Sequence, residues 1–144
     1  MIPVVEQLDL ASLPRGEVTF LKLSLVADPR GERIHIPLMI AVGAHDGPAL
    51  GVTAAMHGDE LNGLRVIHRL FDELNLQDLH GMVIAAPVCN TPGFLNGTRE
   101  FNDGADLNRI MPGKATGTPA ELYAHRLMTR LICHFDYHID LHTA

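Results

Sequence analysis

The run Ala49-Leu50-Gly51-Val52-Thr53-Ala54-Ala55-Met56, continuing into His57-Gly58-Asp59-Glu60, decides the reading of this chain. Its first eight residues are almost continuously apolar, the pattern of a short strand covered on both faces. From about Glu60 to Leu74 the period changes, with Leu61, Leu64, Ile67, Phe71 and Leu74 recurring at helical spacing. Met82 to Val88 is a second buried strand. Strand, helix and strand in that order predict a parallel pair joined by a right-handed crossover, and hence an α/β protein.

Upstream, after a lead-in over residues 1–16, Val18 to Val26 alternates as a strand should. Asp28-Pro29-Arg30-Gly31 reads as a turn and Arg33 to Val42 as a second strand, in which Pro37 suggests an edge or a bulge. Ala44-His45-Asp46-Gly47-Pro48 reads as another turn, so the opening is an antiparallel hairpin. Downstream, residues 89–118 form a long polar loop rich in Asn, Gly and Pro, a length that usually means function or mobility. Thr118-Pro119-Ala120-Glu121 is a capping box with Pro at the first helical position, opening a helix to about His134. Tyr137 to Leu141 is the last strand. The expected architecture is a mixed β-sheet flanked by helices, with an N-terminal β-hairpin and a sheet left incomplete. It is one domain over 1–144, about 1–42 lead-in hairpin and 43–144 α/β part.

The chain has 144 residues, 47% of them hydrophobic and 19% charged, which suits one globular domain with a real core. A net charge of −6 with only Lys22 and Lys114 as lysines argues against a nucleic-acid partner. Cys89 and Cys133 sit in apolar segments and read as two buried free thiols. The N-terminus lacks a basic region followed by a long apolar core, and no run approaches a membrane span. No signal peptide, no membrane partner and a cytoplasmic location are the expectations.

Two short runs carry the chemistry. His57 and Glu60 stand at a strand-to-helix turn, where Gly58 is expected to let the backbone turn sharply. His142 stands at the end of the last strand, within Ile139-Asp140-Leu141-His142-Thr143-Ala144. Ligands of α/β proteins gather at the carboxyl ends of strands, so the three residues can meet on one rim. Two imidazoles and a carboxylate are the ligand set of a catalytic zinc site with an open fourth position. Strand alternation puts His138, Asp140 and His142 on one face, with Asp140 suited to orient an imidazole and His138 suited to the core or to support of the site. Six other histidines (His35, His45, His68, His80, His125 and His134) show no ligand pattern.

The long loop adds Arg99 and the run Asp106-Leu107-Asn108-Arg109. An arginine fork suits a carboxylate and an asparagine amide adds a donor, so Asn108 and Arg109 could hold a substrate carboxylate. Arg99 could face the oxygen of a carbonyl under attack. The alternative is a solvated loop whose arginines pair with Glu100, Asp103 or Asp106.

In order and spacing, several motifs resemble one family. They are Ile36-Pro37, Gly47-Pro48-Ala49-Leu50, His57-Gly58-Asp59-Glu60, Pro87-Val88-Cys89-Asn90-Thr91-Pro92-Gly93-Phe94, Asp106-Leu107-Asn108-Arg109, Met111-Pro112-Gly113 and Asp140-Leu141-His142-Thr143. Together they resemble the succinylglutamate desuccinylase/aspartoacylase family, relatives of the zinc carboxypeptidases. The resemblance runs from about Ile34 to Ala144. It implies a carboxypeptidase-like α/β fold and a zinc-dependent hydrolase that cleaves the amide bond of an N-acyl amino acid. It also implies zinc ligands His57, Glu60 and His142, a carbonyl-polarising Arg99, and a carboxylate clamp of Asn108 and Arg109. The family's catalytic glutamate and a C-terminal β-rich domain lie beyond the third ligand, so the chain reads as the N-terminal portion of an enzyme, inactive alone. Met111 stands where an aromatic residue is usual. The rival readings are a zinc carboxypeptidase-type peptidase and a non-catalytic zinc-binding module. A homo-oligomer is compatible with each.

Overall fold

The computed structural model describes residues 1–28 and 30–143. Pro29, in the turn expected at 28–31, and Ala144, last of the quoted motif, lie outside the described residues. The strands are β1 (Val4–Val5), β2 (Glu17–Ala27), β3 (Arg33–Val42), β4 (His45–Ala54), β5 (His80–Ala86) and β6 (Tyr137–Leu141). The α-helices are α1 (Asn62–Glu73), α2 (Thr91–Asn96), α3 (Leu107–Ile110) and α4 (Pro119–Arg130). The six strands form one mixed sheet in the order β1-β2-β3-β5-β4-β6. β2 and β3 pair antiparallel, as the alternation predicts, whereas β4 pairs parallel with both β5 and β6.

Two apolar layers sandwich the sheet. On one face, α1 lays Ile67 and Phe71 against Val52, Ala54, Val83 and Ala85. On the other, α4 lays Tyr123 and Leu127 against Leu23, Leu25, Ile36, Ile40 and Ile84. Each large apolar side chain fully removed from water contributes about 1.5–3 kcal/mol, so these helices hold to the sheet by packing. Helix α4 also begins as expected, with the reciprocal Thr118 and Glu121 capping box and Pro119 in its first turn. The open edge of β2 near its bulge is covered by that helix: Arg126 donates to the Leu25 carbonyl at 2.6 Å and Arg130 to the Ser24 carbonyl at 2.9 Å. Such covering protects an edge from pairing with other chains.

Several expectations need correction. Residues 45–48 of the turn expected at 44–48 belong to β4, which begins at His45 opposite His80 and carries a register shift before Ala49. Of the two settings expected for Pro37, an edge or a bulge, the edge holds. The proline sits opposite Lys22, where β3 has one neighbour, because pairing with β5 begins only at Met39. Leu61 is 48% exposed and lies outside the buried face of α1. The stretch 89–118 is not structureless, since α2 and α3 fall within it. Cys133 is exposed, while Cys89 is buried and its thiol pKa is pushed up by that burial. His138 is exposed and is not a core residue.

Candidate metal centre

The carboxyl ends of β4 and β6 lie side by side, because Ala54 pairs with Leu141. Leaving β4, the chain reaches His57; leaving β6, it reaches His142; Glu60 precedes the first turn of α1. Gly63 lets that turn lie close, since a Cβ there would come 2.7 Å from the Ala54 Cβ and 3.0 Å from the Leu141 Cβ. Gly58 does not take a positive φ. Its lack of a side chain serves a close approach instead, because a Cβ would lie 2.1 Å from the Gly93 carbonyl carbon. Asn90 fixes the other side of that contact, capping α2 by accepting the Gly93 N–H at 3.0 Å and donating to the Arg99 carbonyl at 3.3 Å.

His57, Glu60 and His142 converge into the one group among the described residues able to hold a metal ion. His57 Nδ1 lies 2.9 Å from Glu60 Oε1 and 3.3 Å from His142 Nδ1, which lies 3.0 Å from Glu60 Oε2. A tetrahedral zinc with bonds of 2.0–2.1 Å needs donor atoms about 3.3–3.4 Å apart, so the three donors stand near the required spacing. The far nitrogen of each imidazole meets a carboxylate. His57 Nε2 lies 3.1 Å from Asp106 Oδ1, and His142 Nε2 lies 2.7 Å from Asp140 Oδ2. A carboxylate there fixes the proton on Nε2 and leaves Nδ1 as the donor. Asp140 is held by the Thr53 hydroxyl, which donates to its Oδ1 at 2.6 Å and lies 2.8 Å from His138 Nε2.

Electrostatics keep the acids ionised. Burial opposes the charge on Glu60, but the Thr143 N–H and both imidazoles outweigh it and hold its pKa below the ordinary range. Burial likewise opposes the charge on Asp106, and His57 and Arg99 outweigh it. For His142 burial disfavours the charged ring, yet Asp140 and Glu60 raise its pKa overall.

Arg99 is within the same network, donating to Glu60 Oε1 at 3.1 Å and to Asp106 Oδ2 at 3.4 Å. Arg109 reaches Asp106 Oδ2 at 3.5 Å with its side chain 82% exposed, and Asn108 is exposed beside it on α3. Both clamp candidates therefore stand at the rim and touch none of the three donors. Sequence reasoning missed Asp106 as the partner of His57. Its signal was helical, an Asp at the N-cap of α3 that accepts the Asn108 N–H at 3.0 Å, and nothing local shows that the same oxygen reaches His57.

Residues 46–144 match the model of the succinylglutamate desuccinylase/aspartoacylase catalytic domain. The chain is 34% identical over 126 residues to the N-alpha-acetyl-L-2,4-diaminobutyric acid deacetylase of Halomonas elongata, covering 86% of this chain and 36% of that protein. Among solved structures, the product-bound ectoine utilization protein EutE from Ruegeria pomeroyi superposes with a TM-score of 0.75 at 32% identity, over 92% of this chain and 42% of its own. An aspartoacylase family protein from Mesorhizobium loti gives a TM-score of 0.79 at 29% identity, over 91% of this chain and 41% of its own. The chain thus spans roughly two fifths of the length of these relatives, and it has their mixed α/β sheet. No described helix is long and apolar enough to cross a membrane.

Proposed function

Because the chain belongs to the succinylglutamate desuccinylase/aspartoacylase family, we propose that its protein is a zinc-dependent deacylase that hydrolyses the amide bond of an N-acyl amino acid. The observation that carries the reading is the convergence of His57 Nδ1, His142 Nδ1 and the Glu60 carboxylate, each imidazole backed by a carboxylate. We assign zinc to these three donors, since two imidazoles and one carboxylate suit it and leave a coordination position for chemistry. Once bound, the metal supplies Lewis acidity to the attacking water and to the amide carbonyl.

The residues of this chain do the rest. Asp106 and Asp140 hold the two imidazoles in one tautomer and orientation. Arg99 points two guanidinium donors into the cluster, where one can shift to the carbonyl oxygen as it gains charge. Asn108 and Arg109, exposed at the rim, hold the substrate carboxylate. Glu60, Asp106 and Asp140 are all engaged in the cluster. As the family resemblance implies, we assign the general base to a carboxylate in the part of the relatives' length that this chain does not span, with residues 1–144 forming one structural unit of the whole enzyme. The deacetylase of Halomonas elongata supports an N-acetylated diamino acid as the first substrate to try. A cytoplasmic location fits a substrate of this kind.

Two measurements test the proposal. Zinc per chain should be about one, and lost in His57→Ala and His142→Ala at unchanged circular dichroism. The whole protein should turn over N-acyl amino acids rather than peptides, and its His142→Ala variant should lose nearly all of that turnover. Normal turnover in that variant would refute the assignment. Preference for peptides would favour the carboxypeptidase-type reading, and zinc without any turnover the non-catalytic one.

A further inference from the structure

Side chains along β4 alternate between the two core layers. Ala49 faces the α4 side, and Val52 and Ala54 face the α1 side. The parallel neighbour agrees, since Ala49 pairs with Met82 and Val52 with Ala85, which lie on those same sides. Continued alternation would send Met56 to the α1 side. Instead Met56 lies in the core on the α4 side, 3% exposed. The inversion occurs at Ala55, whose φ is +47°, and no other described residue except glycine has a positive φ. An L-residue with a Cβ is strained there. It is fully buried and held on both sides, because the Ala54 carbonyl accepts the Cys89 N–H at 3.0 Å and the Ala55 carbonyl accepts the Asn90 N–H at 2.9 Å.

We infer that left-handed Ala55 is a positioning residue of the metal site: it inverts the alternation of β4, so that Met56 anchors in the core and His57 emerges on the rim with Nδ1 toward Glu60 and His142. Strain at such a place is a known device for fixing functional geometry. This inference rests on the reading of His57 as a metal ligand.

The test compares Ala55→Gly and Ala55→Val, with zinc as the probe and thermal melting of the zinc-free chain as the second readout. Glycine adopts a positive φ without strain, so Ala55→Gly should melt a few degrees higher, about 2–5 °C, and keep zinc affinity within about threefold. A β-branched residue is least able to take this conformation, so Ala55→Val should bind zinc at least about tenfold more weakly while circular dichroism shows the sheet intact. Wild-type zinc affinity in Ala55→Val would overturn the inference. If Ala55→Val fails to fold, Ala55→Gly decides alone, and a lower melting point there would also overturn it. Failure of the underlying reading is distinguishable, since the unaltered chain would then take up no zinc, or would keep it in His57→Ala.

Discussion

Asp106→Asn separates the geometry around His57 from the charge that supports it. Asp106 accepts on both oxygens. Oδ1 takes His57 Nε2 at 3.1 Å and the Asn108 N–H at 3.0 Å, and Oδ2 takes Arg99 at 3.4 Å with Arg109 at 3.5 Å. An asparagine has one acceptor oxygen and one donor amide of the same shape. Whichever way it turns, its NH2 must face either the imidazole and a backbone N–H or two guanidinium groups, and donors cannot satisfy donors. If the oxygen stays with His57, the cap of α3 survives, but the ring loses the negative charge that makes it a strong donor to metal. Loss of such a partner typically weakens metal binding by about 10–100-fold, which is about 1.4–2.8 kcal/mol. Fold stability should fall far less, because the cap is retained and the ion pairs with Arg99 and Arg109 are partly exposed. Competition titration against a zinc chelator measures the first quantity and urea unfolding of the zinc-free chain the second. Affinity within twofold of the unaltered chain would refute the claim that Asp106 orients and charges His57.

Gly58→Ala should lose zinc and stability together. Its Cβ would sit 2.1 Å and 2.2 Å from backbone atoms of Gly93 and Phe94 that Asn90 pins in place, and overpacking of this kind costs about 1–3 kcal/mol. Equilibrium unfolding and zinc content check it, and retention of both would show that the loops can part. Tyr123→Phe should separate the two, costing about 1–3 kcal/mol in urea unfolding while zinc is kept. It removes the hydroxyl that donates to the Cys89 carbonyl at 2.7 Å in a fully buried position, on the side of the sheet occupied by α4.

Regular pairing and explicit caps were legible in the sequence. β3 and β6 begin and end where alternation places them, and Thr118 announces α4 because its side chain and that of Glu121 satisfy the helix N-terminus locally. Features decided by distant partners were not. His45 to Pro48 has turn composition but joins β4 because His80 lies opposite His45. α2 and α3 have six and four residues, too few for a helical period to show, and only Asn90 and Asp106 as N-caps marked them. The grouping of His57, Glu60 and His142 could be read because strand ends meet on one rim. The donor nitrogen of each ring could not, since for His57 it depends on a carboxylate 49 residues away in sequence.

The charges in the cluster point to the same occupant as the distances. Glu60, Asp106 and Asp140 bring three negative charges, and the pKa values of Glu60 and Asp106 are held low even without a metal. Within the network Arg99 returns one positive charge, and Arg109 touches it only from solvent. Three minus one leaves a deficit of two beside two imidazoles whose Nε2 positions already face carboxylates, a balance that a divalent cation would neutralise. The same balance explains where Arg99 sits. Its guanidinium spans Glu60 and Asp106, the two acids nearest His57. If His57, Glu60 and His142 hold a metal as proposed, Arg99 would keep its anchor on Asp106 and have its other donor free. That donor would then be available to the oxygen of an amide under attack as it gains charge. On the proposed function, Arg99 would serve two states with one side chain, screening the acids before a metal binds and facing the oxyanion afterwards.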